Sequence, residues 1–252
     1  MNKPLVTNVI RRNEIEFDKA RGIRQAADSF RNIPSVVWEY VTNGLAYSDK
    51  GTTPEVMVYL EKDALTFTDN GRGMNEKDLN NFFKVHGENI DIKENNYLAL
   101  TRGMYGTGSF SVFKFADTLK VTSVKDGKES CAILTSEDFE NDRGWALTKD
   151  GEKSLAPNGT KFEVTNLKTD INNEVIKRCI SHVQKQMVSS VFIGKTVYIN
   201  NTPVEYKKPI TDESYLKRIN SKNTEYFDVL NKLGMGAGEI QLVIEKTKSP
   251  LS

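Results

Sequence analysis

The chain has few of the residues that staple small folds or hold metal ions. Only two cysteines, Cys131 and Cys179, and two histidines occur in 252 residues. The cysteines lie far apart with no Cys-x-x-Cys pair, so neither a disulfide framework nor a zinc site is indicated, and a reducing compartment is expected. The net charge of +1 gives no pull toward nucleic acid or an anionic membrane surface. No run approaches the ~20 apolar residues that span a bilayer, and the opening MNKPLVTNVIRRNE lacks an apolar core of signal-peptide length. A cytoplasmic protein without a membrane role is expected. Internal repeats and low-complexity segments are absent as well.

What is present is enough apolar residue, 38%, to bury a substantial core. Charged and small residues from Glu14 to about Phe30 predict one helix. Val36, Val37, Val41 and Leu45 give a second helical stripe, with Pro34 where a helix begins. Val56/Val58/Leu60 and Leu65/Phe67 alternate on either side of Glu61-Lys-Asp63, the pattern of a hairpin. Asn75-Glu-Lys-Asp78 reads as a capped helix start, and Leu79, Phe82, Phe83 and His86 supply its apolar face. Residues 87–102 are polar and irregular and read as a mobile connection. A helix over Ser109–Phe115 is expected next. Strands follow at Leu119–Val121 and Cys131–Ile133 across an Asp126-Gly127 turn, then at Trp145–Thr148 and Thr160–Thr165. Apolar residues from Ile171 to Val191 recur every four positions and predict a long amphipathic helix, before Phe192-Ile-Gly194 and a strand at Val197–Ile199. This element set predicts an α+β layer sandwich: a mostly antiparallel sheet with helices on one face.

Three short blocks recur in order: Glu39-Tyr-Val-Thr-Asn43, Asp69-Asn-Gly-Arg-Gly-Met74 and Gly103-Met-Tyr-Gly106-Thr-Gly108. Together they read as an ATP site, although each alone has an ordinary structural alternative. Glu39 and Asn43 emerge on one helix face, as a solvated pair would. A carboxylate beside an amide oxygen also suits water activation next to Mg²⁺. Asp69 ends an apolar strand and is followed by Gly71 and Gly73, which a tight turn would also explain. A carboxylate there accepts from the exocyclic amine of adenine, the glycines admit a flat ring, and Met74 adds a soft wall. Gly103, Gly106 and Gly108 precede the expected helix, and their N–H groups form a phosphate cradle unless they are only a linker. No Lys-Ser/Thr follows them, and Gly71-Arg-Gly73 lacks the third glycine of a dinucleotide fingerprint, so two common nucleotide folds are disfavoured.

On these blocks the chain resembles the GHKL ATPases, the superfamily of DNA gyrase B subunits, ninety-kilodalton heat-shock chaperones, histidine kinases, MutL-type repair proteins and MORC proteins. Gly159-Thr160, opening the strand to Asn166, matches a fourth family element, and the resemblance covers roughly residues 10–200. It implies a Bergerat-type two-layer sandwich with an ATP lid between helices, spanning about residues 75–108. It further implies Glu39 as the general base, Asn43 as the Mg²⁺ ligand and Asp69 as the adenine-reading carboxylate. Gly73 and Met74 would line the base, Thr160 would support it through a hydroxyl and water, and Gly103, Gly106 and Gly108 would hold phosphate, with Gly71, Tyr105, Thr107 and Ser109 also among the nucleotide-binding residues. Its cofactors would be ATP and Mg²⁺, and its function ATP hydrolysis, with lid closure and an ATP-dependent homodimer driving a larger protein. A phosphotransferase of histidine-kinase type and an ATP sensor without turnover are the alternatives.

Two departures stand out. Many members carry an acidic residue three after the asparagine, where this chain has Ala46 and the nearest acid is Asp49. A trans-acting Lys or Arg normally comes from a following domain, for which residues 201–252 are too short. Residues 1–200 are therefore expected to be the ATP-binding domain and 201–252 the partial start of a transducer-like segment of a longer protein. A further protein or DNA partner would then bind through other domains, although the near-neutral charge gives DNA no support.

Overall fold

The first helix, α1, spans Lys19–Asp28. Asn32, in extended backbone, then accepts a hydrogen bond from the Ser35 N–H and caps α2, Ile33–Ala46, with Pro34 in its first turn. The computed structural model describes residues 19–47, 52–84, 108–187, 192 and 194–205, and the backbone of strands at 211–220 and 241–247. The helical stripe of α2 is the centre of the core: Val36, Val37, Val41 and Leu45 are all buried, and so are Trp38 and Tyr40. Each fully buried valine or leucine there contributes about 1.5–3 kcal/mol of burial.

Strands β1 (Glu55–Leu60) and β2 (Ala64–Asp69) form the expected hairpin. Helix α3, Glu76–Phe82, starts at Asn75 by a reciprocal capping box with Asp78. Of its expected apolar face Leu79 is buried and Phe82 and Phe83 partly so, while His86 and the connection at 87–102 lie outside the described residues. The helix expected at Ser109–Phe115 is instead a 3₁₀ helix, η1, over Gly108–Lys114. Seven residues of this tighter helix align fewer peptide dipoles than an α-helix does.

Strands β3 (Ala116–Lys125) and β4 (Lys128–Thr135) meet at Asp126 and Gly127, whose φ angles of 52° and 71° give the hairpin turn expected of Asp-Gly. The short helix α4, Ser136–Glu140, was not foreseen, although its Thr135/Asp138 capping box is visible in the sequence. Strands β5 (Ala146–Lys153) and β6 (Gly159–Leu167) follow. The expected helix from Ile171 is α5, Asn173–Gln186. The Asn172 side chain accepts from Glu174 and Val175 N–H and starts the helix beyond Ile171, which is buried in the preceding loop. Strand β7 (Thr196–Ile199) then turns through Asn200 and Asn201, both at positive φ, into β8 (Thr202–Glu205). The sheet thus continues past residue 200. Strands β9 (Thr211–Asn220) and β10 (Gln241–Thr247) pair separately with each other.

The main sheet has eight strands in the order β5-β4-β3-β6-β2-β1-β7-β8, antiparallel at every step except β1 beside β7. Alternate residues, among them Val56, Phe67, Phe162, Leu119 and Val197, are buried in one cluster with α1, α2 and α5. The other face is polar and carries the Lys120–Glu163 and Lys161–Glu163 pairs at 3.0 and 2.8 Å. This is the α+β sandwich expected, an open and mostly antiparallel sheet of Bergerat type with helices against one face. Among the described residues no helix is long and apolar enough to cross a membrane.

Candidate functional site

Helix α2 buries almost all of its surface; the residues that stay partly open are Ser35, Glu39 and Asn43, followed by Tyr47 just past its end. Their i, i+4 spacing makes one stripe along the helix, so Glu39 and Asn43 share the face the sequence predicts. At one end of the stripe, Gly108 packs against Glu39. A Cβ built on Gly108 would collide with Glu39 Oε1 and lie 2.6 Å from Cδ. The last glycine of the third block therefore meets the carboxylate of the first. At the other end the helix passes over β2 at Gly44, where a Cβ would sit 2.7 Å from Val56 and 3.1 Å from Asp69 Cβ. The residue after Asn43 has to be glycine for the helix to approach Asp69 so closely. Ala46, in place of the acid common in the family, is buried and brings no charge.

Asp69 closes β2 in a row of paired residues that crosses the sheet, Val56–Asp69–Thr160–Ser123. All of these face the helices. Asp69 Oδ1 accepts from the Gly71 N–H at 2.9 Å and from the Thr160 N–H at 3.3 Å, leaving Oδ2 for an incoming donor. Burial pushes the carboxyl up to about 6, and the two N–H donors oppose that rise. Gly71 fits only without a side chain, since a Cβ would be 2.7 Å from both Asp69 Oδ1 and the Tyr47 carbonyl. The Arg72 N–H donates to that carbonyl at 3.0 Å, and the Arg72 guanidinium lies 5.4 Å from the centre of the Tyr47 ring.

The turn ends at Gly73, with φ of 69° and no space for a Cβ beside the Val124 carbonyl. Gly73→Ala is expected to cost about 2–4 kcal/mol in urea denaturation, combining left-handed strain with a backbone clash. Met74, half-buried, donates its N–H to Ser123 Oγ at 2.7 Å, and Ser123 Oγ is 2.8 Å from Thr160 Oγ1. Gly159, in the same corner, has φ of 155° and presses on the Asp69 carbonyl.

The structure therefore brings Glu39, Asn43, Asp69, Gly71, Gly73, Met74, Thr160, Gly108 and Ser109 to one edge of the helix layer. Gly103, Tyr105, Gly106 and Thr107 lie outside the described residues. Residues of this corner that the motifs do not include are Gly44 and Ser123. A glycine inside an apolar helix is a visible signal for Gly44. An inward-facing serine in β3 is only a weak one for Ser123.

Among the described residues no group of three or more His, Cys, Asp and Glu side chains is placed to hold a metal ion. One amide oxygen on a half-open stripe fits Mg²⁺, which takes one or two protein oxygens and fills its other positions with water and phosphate.

A family model described as histidine kinase-, DNA gyrase B-, and HSP90-like ATPase matches residues 32–170, more than half of the chain. The chain belongs to this ATPase family. The matched span begins at the cap of α2 and ends just after β6, so it takes in every part of the site described above. This ATPase-family chain is also 30% identical over 116 residues to the chaperone protein HtpG of Sulfurovum sp.. That alignment covers 41% of the chain and 18% of the HtpG protein, so the chain spans less than a fifth of its relative's length.

Proposed function

We propose that this chain binds ATP with Mg²⁺ and hydrolyses it to ADP and phosphate. The observation that carries this is the packing of Gly108 onto Glu39. It sets a carboxylate on the partly open α2 stripe beside the end of the glycine-rich block, where a triphosphate would reach it. Asp69 Oδ2 takes the adenine amine, with Gly71, Gly73 and Met74 along the base and Thr160 bonding it through water. Gly103, Tyr105, Gly106, Thr107, Gly108 and Ser109 contact phosphate. Asn43 offers its oxygen to Mg²⁺, which when bound neutralises phosphate charge. Glu39 accepts a proton from the attacking water, and the electrons of the broken bond leave on the ADP oxygen. Family resemblance extends the proposal to a lid over residues 75–108, an ATP-dependent homodimer, a cytoplasmic setting and a larger protein with protein or DNA partners.

The test is phosphate release by the 252-residue chain with ATP or GTP, together with titration calorimetry. Saturable ATP turnover is expected, with GTP bound at least about tenfold more weakly, since guanine lacks the amine that Asp69 would accept. A chain that binds neither nucleotide would sink the proposal, whereas ATP binding without turnover would favour a sensor.

A further inference from the structure

Tyr40 follows Glu39 and points away from the open stripe into the core, where it is 3% exposed. Its ring stacks on Phe67 with centroids 4.7 Å apart and meets the Phe162 ring edge-on at 5.1 Å. Phe67 lies two residues before Asp69 on β2, and Phe162 two residues after Thr160 on β6, so Tyr40 rests on the strands that carry the adenine-reading pair. Its hydroxyl donates a buried 2.9 Å hydrogen bond to the Ser109 carbonyl, in the first turn of η1. Phenylalanine would fill this apolar slot, so packing alone does not account for a hydroxyl. Burial raises the phenol further above its ordinary range, and the nearby Glu39 charge adds to the rise, so the hydroxyl stays a donor at any working pH.

We propose that Tyr40 is a positioning residue for hydrolysis: its hydroxyl tethers the Ser109 carbonyl and so holds Gly108 against the Glu39 carboxylate. This rests on the hydrolysis proposed above. Phe110, Val112 and Phe113 anchor the later residues of η1 in the core, whereas Gly108 has no side chain to pack, so the tether acts at that end of the segment. A hydrogen bond one residue from Glu39, made to the residue after Gly108, controls how the two approach. The same ring lies on β2 and β6, so one side chain spans the base end and the hydrolytic end of the site.

Tyr40→Phe keeps the stack and deletes only the tether. In steady-state assays of the 252-residue chain, kcat is expected to fall about tenfold while the KM for ATP stays within about twofold. By hydrogen exchange, the amides of residues 110–113 should exchange about tenfold faster, with the strands unchanged. Val164→Ala, a core truncation on β6, supplies a destabilised control that should leave both readouts alone. Wild-type kcat in Tyr40→Phe, unchanged exchange at 110–113, or the same kcat loss in the control would each overturn the tether. Absence of turnover in the wild type would overturn hydrolysis itself, and it shows before any variant is compared.

Discussion

Replacing Asp69 by Asn is expected to weaken ADP binding by at least about 100-fold while making the ligand-free chain more stable at neutral pH. The two effects have one origin. Both backbone donors to Asp69 fall on Oδ1, so an asparagine oxygen can keep them while its NH₂ takes the place of Oδ2. That NH₂ then faces the adenine amine, donor against donor, and a charge-assisted bond becomes a repulsion. In the ligand-free chain the carboxyl is raised by burial from 3.8 to about 6. Between those values the folded chain holds a proton that the unfolded chain has released, so folding stability falls as pH rises from about 4 to about 6 and stays lowered above. The ionised carboxylate costs on the order of 3 kcal/mol at neutral pH, a cost asparagine avoids. Thermal melts should show the variant above wild type at about pH 7 and level with it near about pH 4. Ligand binding runs the opposite way, because the amine needs the ionised carboxylate. Calorimetry should find ADP affinity dropping below about pH 6 in the wild type but not in Asp69→Asn. A variant that binds ADP as wild type does would remove Asp69 from the base site.

Replacing Glu39 by Ala is expected to lower turnover by about 1000-fold and leave ATP affinity within a few-fold of wild type. Glu39 lies on the partly open stripe of α2, outside the buried apolar cluster, so its replacement leaves that cluster intact. Its carboxylate lies against Gly108, at the end of the third glycine block, where under the proposed mechanism it would repel phosphate as much as it positions water. Gly108→Ala provides an independent route to the same result. The new Cβ meets the Glu39 carboxylate, and because that is the far end of a flexible side chain, the carboxylate moves and the fold survives. Phosphate release should drop in both variants, while calorimetry with a non-hydrolysable ATP analogue shows binding. Equal turnover in wild type and Glu39→Ala would rule out Glu39 as the base.

Much of this fold was legible where a local pattern has a local cause. The Pro34 start of α2, the Asn75/Asp78 cap, the Asp126-Gly127 turn and the alternating strands all depend on neighbours within four residues. Misreadings arose where a cap or a tertiary contact intervened. Ile171 fits the helical period of α5, yet the Asn172 side chain caps the helix start after it and leaves Ile171 outside. The Asn200-Asn201 turn and β8 went unread because two asparagines at positive φ stand beside a strand of only four residues. Glycine and acidic residues are conspicuous in sequence, which is why the motif residues of the candidate site stand out there. Ser123 does not, since a serine in a strand has an ordinary explanation.

By itself the sequence determined the ingredients: a helix offering Glu39 and Asn43 on one face, a strand ending in Asp69, a glycine turn after it, and the order of the blocks. These follow from periodicity and from the conformational demands of single residues, which act over a few positions of chain. Only the tertiary structure decided which of them touch. Sheet register places Asp69 beside Thr160 and Thr160 beside Ser123, although β6 and β3 are remote from β2 in sequence. Close packing at Gly44 and Gly108 brings α2 against Asp69 and Glu39 against the end of the third glycine block. Such contacts depend on how layers settle against one another, and no local pattern in the chain encodes that.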